Sequence, residues 1–302
     1  MNAHQTPRPP GIRRTWLFVP GNHAEAHAVA LQSGADAIVA DLEEMTSPQD
    51  RPQARERIVT LLREAARAGT VGSVRINKLE HDGHADLEGV MPGTPRAIFL
   101  PHAESAAQLA ALDDALAVIE RKLGIQEGST EVVPVIESAK GLVHLGALLQ
   151  VGARMKCCML AVEDLAANLG ARRTPGGHEL LYARSRFLIE CIAAGCVPID
   201  LPCTYRSAQV LGQDLDLSTQ LGFASKSVVF PEHVPAIHRA LTPSAEDMQA
   251  ARALVDAHAA QQANPPSAGS VWIDYPERNN AQRLIARDAL LRKAATHKRA
   301  KH

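Results

Sequence analysis

The chain has no excess of either charge: 32 Lys and Arg stand against 33 Asp and Glu, a formal net charge of −1. That balance provides no basic surface for nucleic acid and no acidic solvating tail. Only the closing "KAATHKRAKH" is locally basic, and it reads as a solvated end. No apolar run approaches the about 20 residues that cross a bilayer. The opening "MNAHQTPRPPG" lacks the apolar core of a secretory signal. No repeat of fixed length recurs, and no Gly-x-Gly-x-x-Gly follows an apolar run, so a dinucleotide-binding turn is not indicated. The five cysteines, Cys157, Cys158, Cys191, Cys196 and Cys203, form no Cys-x-x-Cys pair. An odd count in that pattern fits reduced, buried thiols in a cytoplasmic protein. Cys203 lies near an apolar run's end, but nothing around it marks an activating base.

Alternation is what the chain does have. Short apolar, β-branched runs recur at 15–20, 36–43, 73–77, 97–102, 131–137, 156–164, 196–202 and 227–231. Each suits a parallel strand buried on both faces. Longer segments of helical periodicity lie between them, and four stop at a glycine: Gly34, Gly69, Gly124 and Gly195. Eight such strand–helix units predict a (β/α)8 TIM barrel, with an open doubly wound sheet as the alternative. A further helix, "SAEDMQAARALVDAHAAQQA", precedes a "PPSAG" hinge and one more helical stretch. The expected organisation is a disordered arm over 1–12, a barrel over 13–262 and a C-terminal helical lid with its tail over 263–302.

Several apolar runs finish on charged residues. "EVVPVIE" ends on Glu137, "CCMLAVED" on Glu163 and Asp164, "DAIVADLEE" carries Asp41, Glu43 and Glu44, "SVRIN" carries Arg75 and Asn77, and "CVPID" ends on Asp200. The C-terminal strand ends form the active-site rim of a TIM barrel. Carboxylates gathered there repel and lose hydration unless a cation joins them. Oxygen ligands without a Cys or His cluster favour a hard cation, Mg2+ or Mn2+. The competing reading is that each acid caps the next helix or pairs with an arginine such as Arg75.

At these residues the chain resembles the citrate lyase β-subunit-like family of CoA-ester lyases, within the HpcH/HpaI aldolase superfamily. "RTWLFVPGN", "GADAIVADLEEMTSPQDRPQAR", "VRIN", "LPHAES", "VIESAKG", "AVEDLAANLG" and "RRTPGGHELLYARSR" follow in that family's order, over roughly residues 13 to 290. The resemblance implies a (β/α)8 fold with a C-terminal lid, bound Mg2+, and a homotrimer or hexamer. The implied chemistry makes or breaks a carbon–carbon bond between a CoA thioester and a 2-oxo acid, as with malyl-, citramalyl- or citryl-CoA. It implies Glu137 and Asp164 as metal ligands, Glu137 also facing substrate, and Arg75 as a substrate contact stabilising developing charge. Asp274, in "VWIDYPE", matches a lid aspartate that serves as acid/base and in related lyases reaches a neighbouring subunit. Asp41, Glu43 and Glu44 are implied as groups around the metal's own ligands.

The departures are local. His102 stands where the family has Lys, and Glu44 where it has Asp. Phe230-Pro231 lacks the usual preceding histidine, Ser270-Val271-Trp272 replaces Gly-Lys-Met, and "LPCTYRS" follows Asp200. His102, at an apolar run's end, is expected to touch substrate. Trp272 and Tyr275 hint at a bulkier pocket. Two alternatives stay open: a class II pyruvate-type aldolase acting on free acids, and an acyl-carrier-dependent citrate lyase β subunit or non-catalytic homologue.

Overall fold

A computed structural model describes residues 8–263 and 272–299 of the chain. Eight parallel strands occur in the expected order: β1 Thr15–Pro20, β2 Ala37–Asp41, β3 Val71–Arg75, β4 Ala97–Leu100, β5 Glu131–Ile136, β6 Cys157–Leu160, β7 Val197–Ile199 and β8 Lys226–Val228. Their lateral order is β7-β6-β5-β4-β3-β2-β1-β8. The ring is completed by one isolated bridge, Asp200 to Lys226. There Asp200 N–H donates to Ser225 O (2.9 Å) and Ser227 N–H to Asp200 O (2.9 Å). The expected TIM barrel is the observed fold.

The helices are α1 Ala24–Gln32, α2 Arg51–Arg67, α3 His84–Val90, α4 Ala106–Leu123, α5 Ala139–Leu148, α6 Glu163–Asn168, α7 Leu181–Ala193, α8 Ala208–Leu221, α9 Val234–Ala240, α10 Ala245–Ala263 and α11 Tyr275–Arg299. The glycine stops hold: Gly124 closes α4 at φ +66°, a left-handed position that glycine adopts without strain. The other end of α4 has a complete capping box. Gln108 N–H donates to Ser105 Oγ (3.4 Å), and Ser105 N–H donates to Gln108 Oε1 (3.0 Å). Replacing Ser105 by Ala is expected to cost about 1 kcal/mol, read as a lower urea midpoint.

The barrel interior follows from the two-residue period of strands. Trp16 and Phe18, Ala37 and Val39, Ala97 and Phe99, Val133 and Val135, Cys157 and Met159, and Ile199 form one buried cluster. Trp16 and Phe18 both meet Phe99 edge-on, at 5.3 and 5.7 Å between ring centroids. The next step along the same face turns polar at each end. At the N-terminal end, Glu131 takes both Arg13 (2.5 and 2.9 Å) and Arg96 (3.0 Å). At the C-terminal end, Asp41 follows Val39, Arg75 follows Ser73, and Glu137 follows Val135.

Two expectations need correction. The arm expected over 1–12 is partly built into the fold. Pro10–Ile12 forms a 3-10 turn, Ile12 is buried, and Arg8 pairs with Asp36 at 2.6 Å; residues 1–7 lie outside the described residues. The chain divides into two compact units at 238/239 rather than 262/263, because α10 packs on α11. Gln261 ties them: its Nε2 donates to Ile273 O (3.1 Å) and its Oε1 accepts Ile273 N–H (3.0 Å). The "PPSAG" hinge and Ser270-Val271 lie outside the described residues. All five cysteines are free and buried, and no described helix is long and apolar enough to cross a membrane.

Candidate active site

Arg75 organises the rim. The last residue of β3, it is 5% exposed, and its guanidinium lies 5.5 Å from the Phe18 ring centroid. Its Nε and Nη2 donate to Asp41 at 2.8 and 2.6 Å, a bidentate pair. Its remaining reach goes to Glu44 (2.9 Å), Glu43 (3.0 Å) and Glu137 (3.8 Å). Burial opposes the charge on Arg75, but Asp41, Glu43 and Glu44 outweigh it and raise its pKa further. Asp41 also accepts the backbone N–H groups of Glu43 (3.0 Å) and Met45 (2.9 Å), so its oxygens are fully engaged.

Glu137 is 2% exposed. Its Oε2 accepts the backbone N–H of His102 (2.9 Å) and lies 2.8 Å from His102 Nδ1. Its Oε1 is buried without a hydrogen-bond partner. The His102 ring also faces Glu43 Oε1 at 3.8 Å. Bonding to Glu137 and Glu43 raises the His102 pKa to about 10, against the opposing effect of burial. Burial pushes the Glu43 carboxyl up, but His102 and Arg75 leave it below the usual range. Glu44 goes the other way: burial raises it against Arg75, and the charges of Glu43 and Asp164 add to the rise.

Local sequence explains this geometry. Ser138 caps α5 by accepting Gly141 N–H (3.1 Å) and donates to Glu104 Oε1 (2.6 Å). A Cβ on Gly141 would sit 2.6 Å from Ala103 O, so the glycine of "VIESAKG" lets the loop bearing His102 lie against α5.

Asp164 is placed differently from the expectation. β6 ends at Leu160, and Glu163 and Asp164 occupy the first turn of α6, where acids favour a helix N-terminus. Asp164 is half-buried and its charge bears on Glu44; Glu163 is exposed and accepts Thr204 Oγ1–H (2.9 Å). Asp200 does not join the rim acids. It is wholly buried and takes Arg184 (2.7 Å), Ser218 (2.7 Å) and Lys226 (2.9 Å). Asn77 donates to Leu42 O (3.0 Å) and Asp86 (2.8 Å), a loop-fastening role. In the second unit Asp274 is exposed and caps α11, accepting Glu277 N–H at 2.9 Å. His23 and His27, four residues apart, are otherwise engaged: His23 caps α1 and His27 meets Pro20 O at 2.8 Å.

Among the described residues no group of three or more His, Cys, Asp or Glu is arranged to hold a metal. The donor set nonetheless fits a hard cation. A buried carboxylate oxygen without a partner, at a rim where acids outnumber Arg75 and His102, is what one or two carboxylate ligands plus water require.

This chain belongs to the HpcH/HpaI aldolase/citrate lyase family, whose profile matches residues 14–231. Citrate lyase subunit β of Haemophilus influenzae is 30% identical over 285 residues, covering 91% of this chain and 97% of the relative. Mitochondrial citramalyl-CoA lyase of Mus musculus is 28% identical over 291 residues, covering 90% and 85%. The citrate lyase β subunit of M. tuberculosis, solved with oxaloacetate and magnesium, matches with a TM-score of 0.64 at 25% identity, covering 80% of this chain and 100% of that one. The family and these relatives point to a lyase.

Proposed function

We propose that the protein is a Mg2+-dependent carbon–carbon lyase that cleaves, or forms, a 3-hydroxyacyl-CoA from an acyl-CoA and a 2-oxo acid. The observation that carries this reading is Glu137 Oε1, buried without a hydrogen-bond partner, 3.8 Å from Arg75 Nη1. Glu137 and Asp164 would hold Mg2+, or Mn2+ in its place. A cation there supplies Lewis acidity toward the carboxylate and hydroxyl oxygens of the 2-oxo acid half. Arg75, fixed by Asp41, presents a set positive charge to the oxygen on which negative charge develops. When the carbon–carbon bond breaks, its electron pair passes to the acyl half and the hydroxyl gives up its proton to solvent. Asp274 is assigned to protonate the acyl carbon, delivered by closure of the C-terminal segment. The assembly that goes with it is a homotrimer or hexamer in which Asp274 serves a neighbouring subunit. Five free thiols fit a reducing, cytoplasmic setting.

The test is a cleavage assay on malyl-, methylmalyl-, citramalyl- and citryl-CoA, with and without EDTA, detecting released 2-oxo acid. Turnover of one substrate, lost with EDTA and restored by Mg2+, is expected. Metal-dependent cleavage of the free hydroxy acids alone would replace this reading with the free-acid aldolase.

A further inference from the structure

His102 is one of two described non-glycine residues with positive φ, at +48°. A side chain in that region costs free energy, and such residues persist where surrounding contacts enforce them. The contacts here are specific. The turn aims two donors of one residue at one oxygen: the His102 backbone N–H (2.9 Å) and ring Nδ1 (2.8 Å) both meet Glu137 Oε2. The loop is pinned next door, where Ala103 N–H donates to Val135 O at 3.1 Å. The far ring nitrogen leans toward Glu43, so the ring plane is set as well.

We infer that His102 is a positioning residue: it grips Glu137 Oε2 with two donors and leaves Oε1 as the single oxygen offered to a divalent cation. This replaces direct substrate contact as its role, and it rests on the metal reading above. Partners that orient a ligating carboxylate are worth about 10- to 100-fold in metal affinity. The ring donor and the backbone donor separate by substitution. Asparagine tolerates positive φ and can place an amide N–H where Nδ1 stands, without charge. Glycine removes the ring and also the backbone strain.

The experiment is a Mn2+ titration of the full chain, followed by loss of the free-Mn2+ EPR signal, on wild type, His102→Gly, His102→Ala, His102→Asn and Glu137→Gln. Thermal melting checks folding, and the alanine variant serves if glycine loosens the loop. His102→Gly is expected to bind about tenfold more weakly. His102→Asn, which keeps a donor at that position, should bind as tightly as wild type. If Glu137→Gln abolishes binding but both His102→Gly and His102→Ala stay within about threefold of wild type, well short of a positioning partner's usual worth, the assignment of His102 is overturned and the metal reading stands. If wild type fails to bind Mn2+, or Glu137→Gln binds unchanged, the metal reading itself falls, and this assignment with it.

Discussion

Replacing Arg75 by methionine is expected to destabilise the protein by about 3–5 kcal/mol, the usual cost of removing one partner from a buried ionic cluster. The cluster explains the size of the effect. Asp41 is wholly buried and directs both oxygens at this guanidinium, while Glu43 meets its Nη1 and Glu44 shares its Nη2. Without Arg75 those acids are left to their own backbone donors and to His102. Arg75→Lys keeps the charge but cannot reproduce the planar two-point bond to Asp41, so an intermediate loss follows. The deficit of Arg75→Met should narrow between pH 7.5 and 5, because protonation removes the charge left uncompensated. Urea unfolding at both pH values measures this. Under the lyase reading, turnover falls as well, by about 100- to 1,000-fold, as when one fixed donor to a developing oxyanion is removed. A wild-type urea midpoint in Arg75→Met would mean that the acids around it are already neutral in the folded protein.

How much of this was visible beforehand depends on the range of the interaction. Strands declare themselves through runs of neighbours, and β1 falls on the predicted residues, 15–20. Glycine stops are local too: Gly34, Gly69, Gly124 and Gly195 all take positive φ. The acid ending β2 and the one just after β5 were legible for the same reason, since Asp41 and Glu137 lie two residues beyond core valines. Periodicity failed where an element ends. "CCMLAVED" looks continuous, yet the chain leaves β6 at Leu160 and turns into α6, carrying Asp164 off the strand. The positive φ of His102 was hidden too, because a turn imposed by the Glu137 carboxylate 35 residues away leaves no local signature. Asp200 is the clearest miss. From sequence it is one more acid closing an apolar run, and its partners Arg184, Ser218 and Lys226 stand in three different elements.

Those partners give the second large effect. Asp200→Ala is expected to cost about 3–5 kcal/mol, because it leaves two buried cations sharing what remains of the network. Arg184 and Lys226 would retain only Asp214 as a carboxylate partner, at 3.0 and 2.7 Å, and Lys226 is itself wholly buried. Position matters as much as charge. β1 and β2 pair over five residue pairs, whereas β7 and β8 join only through the Asp200–Lys226 bridge, so the side-chain network reinforces the barrel's weakest seam. Amide exchange at residues 200 and 227 should therefore accelerate in the variant more than exchange across the β1–β2 pair. Lys226→Met alone should cost less, because Asp200 keeps Arg184 and Ser218. The double variant Asp200→Ala/Lys226→Met should cost less than the sum of the two, since the second change removes one of the two cations that the first left to share Asp214. Strict additivity in that cycle, or uniform exchange around the barrel, would show that the seam is held by its backbone alone.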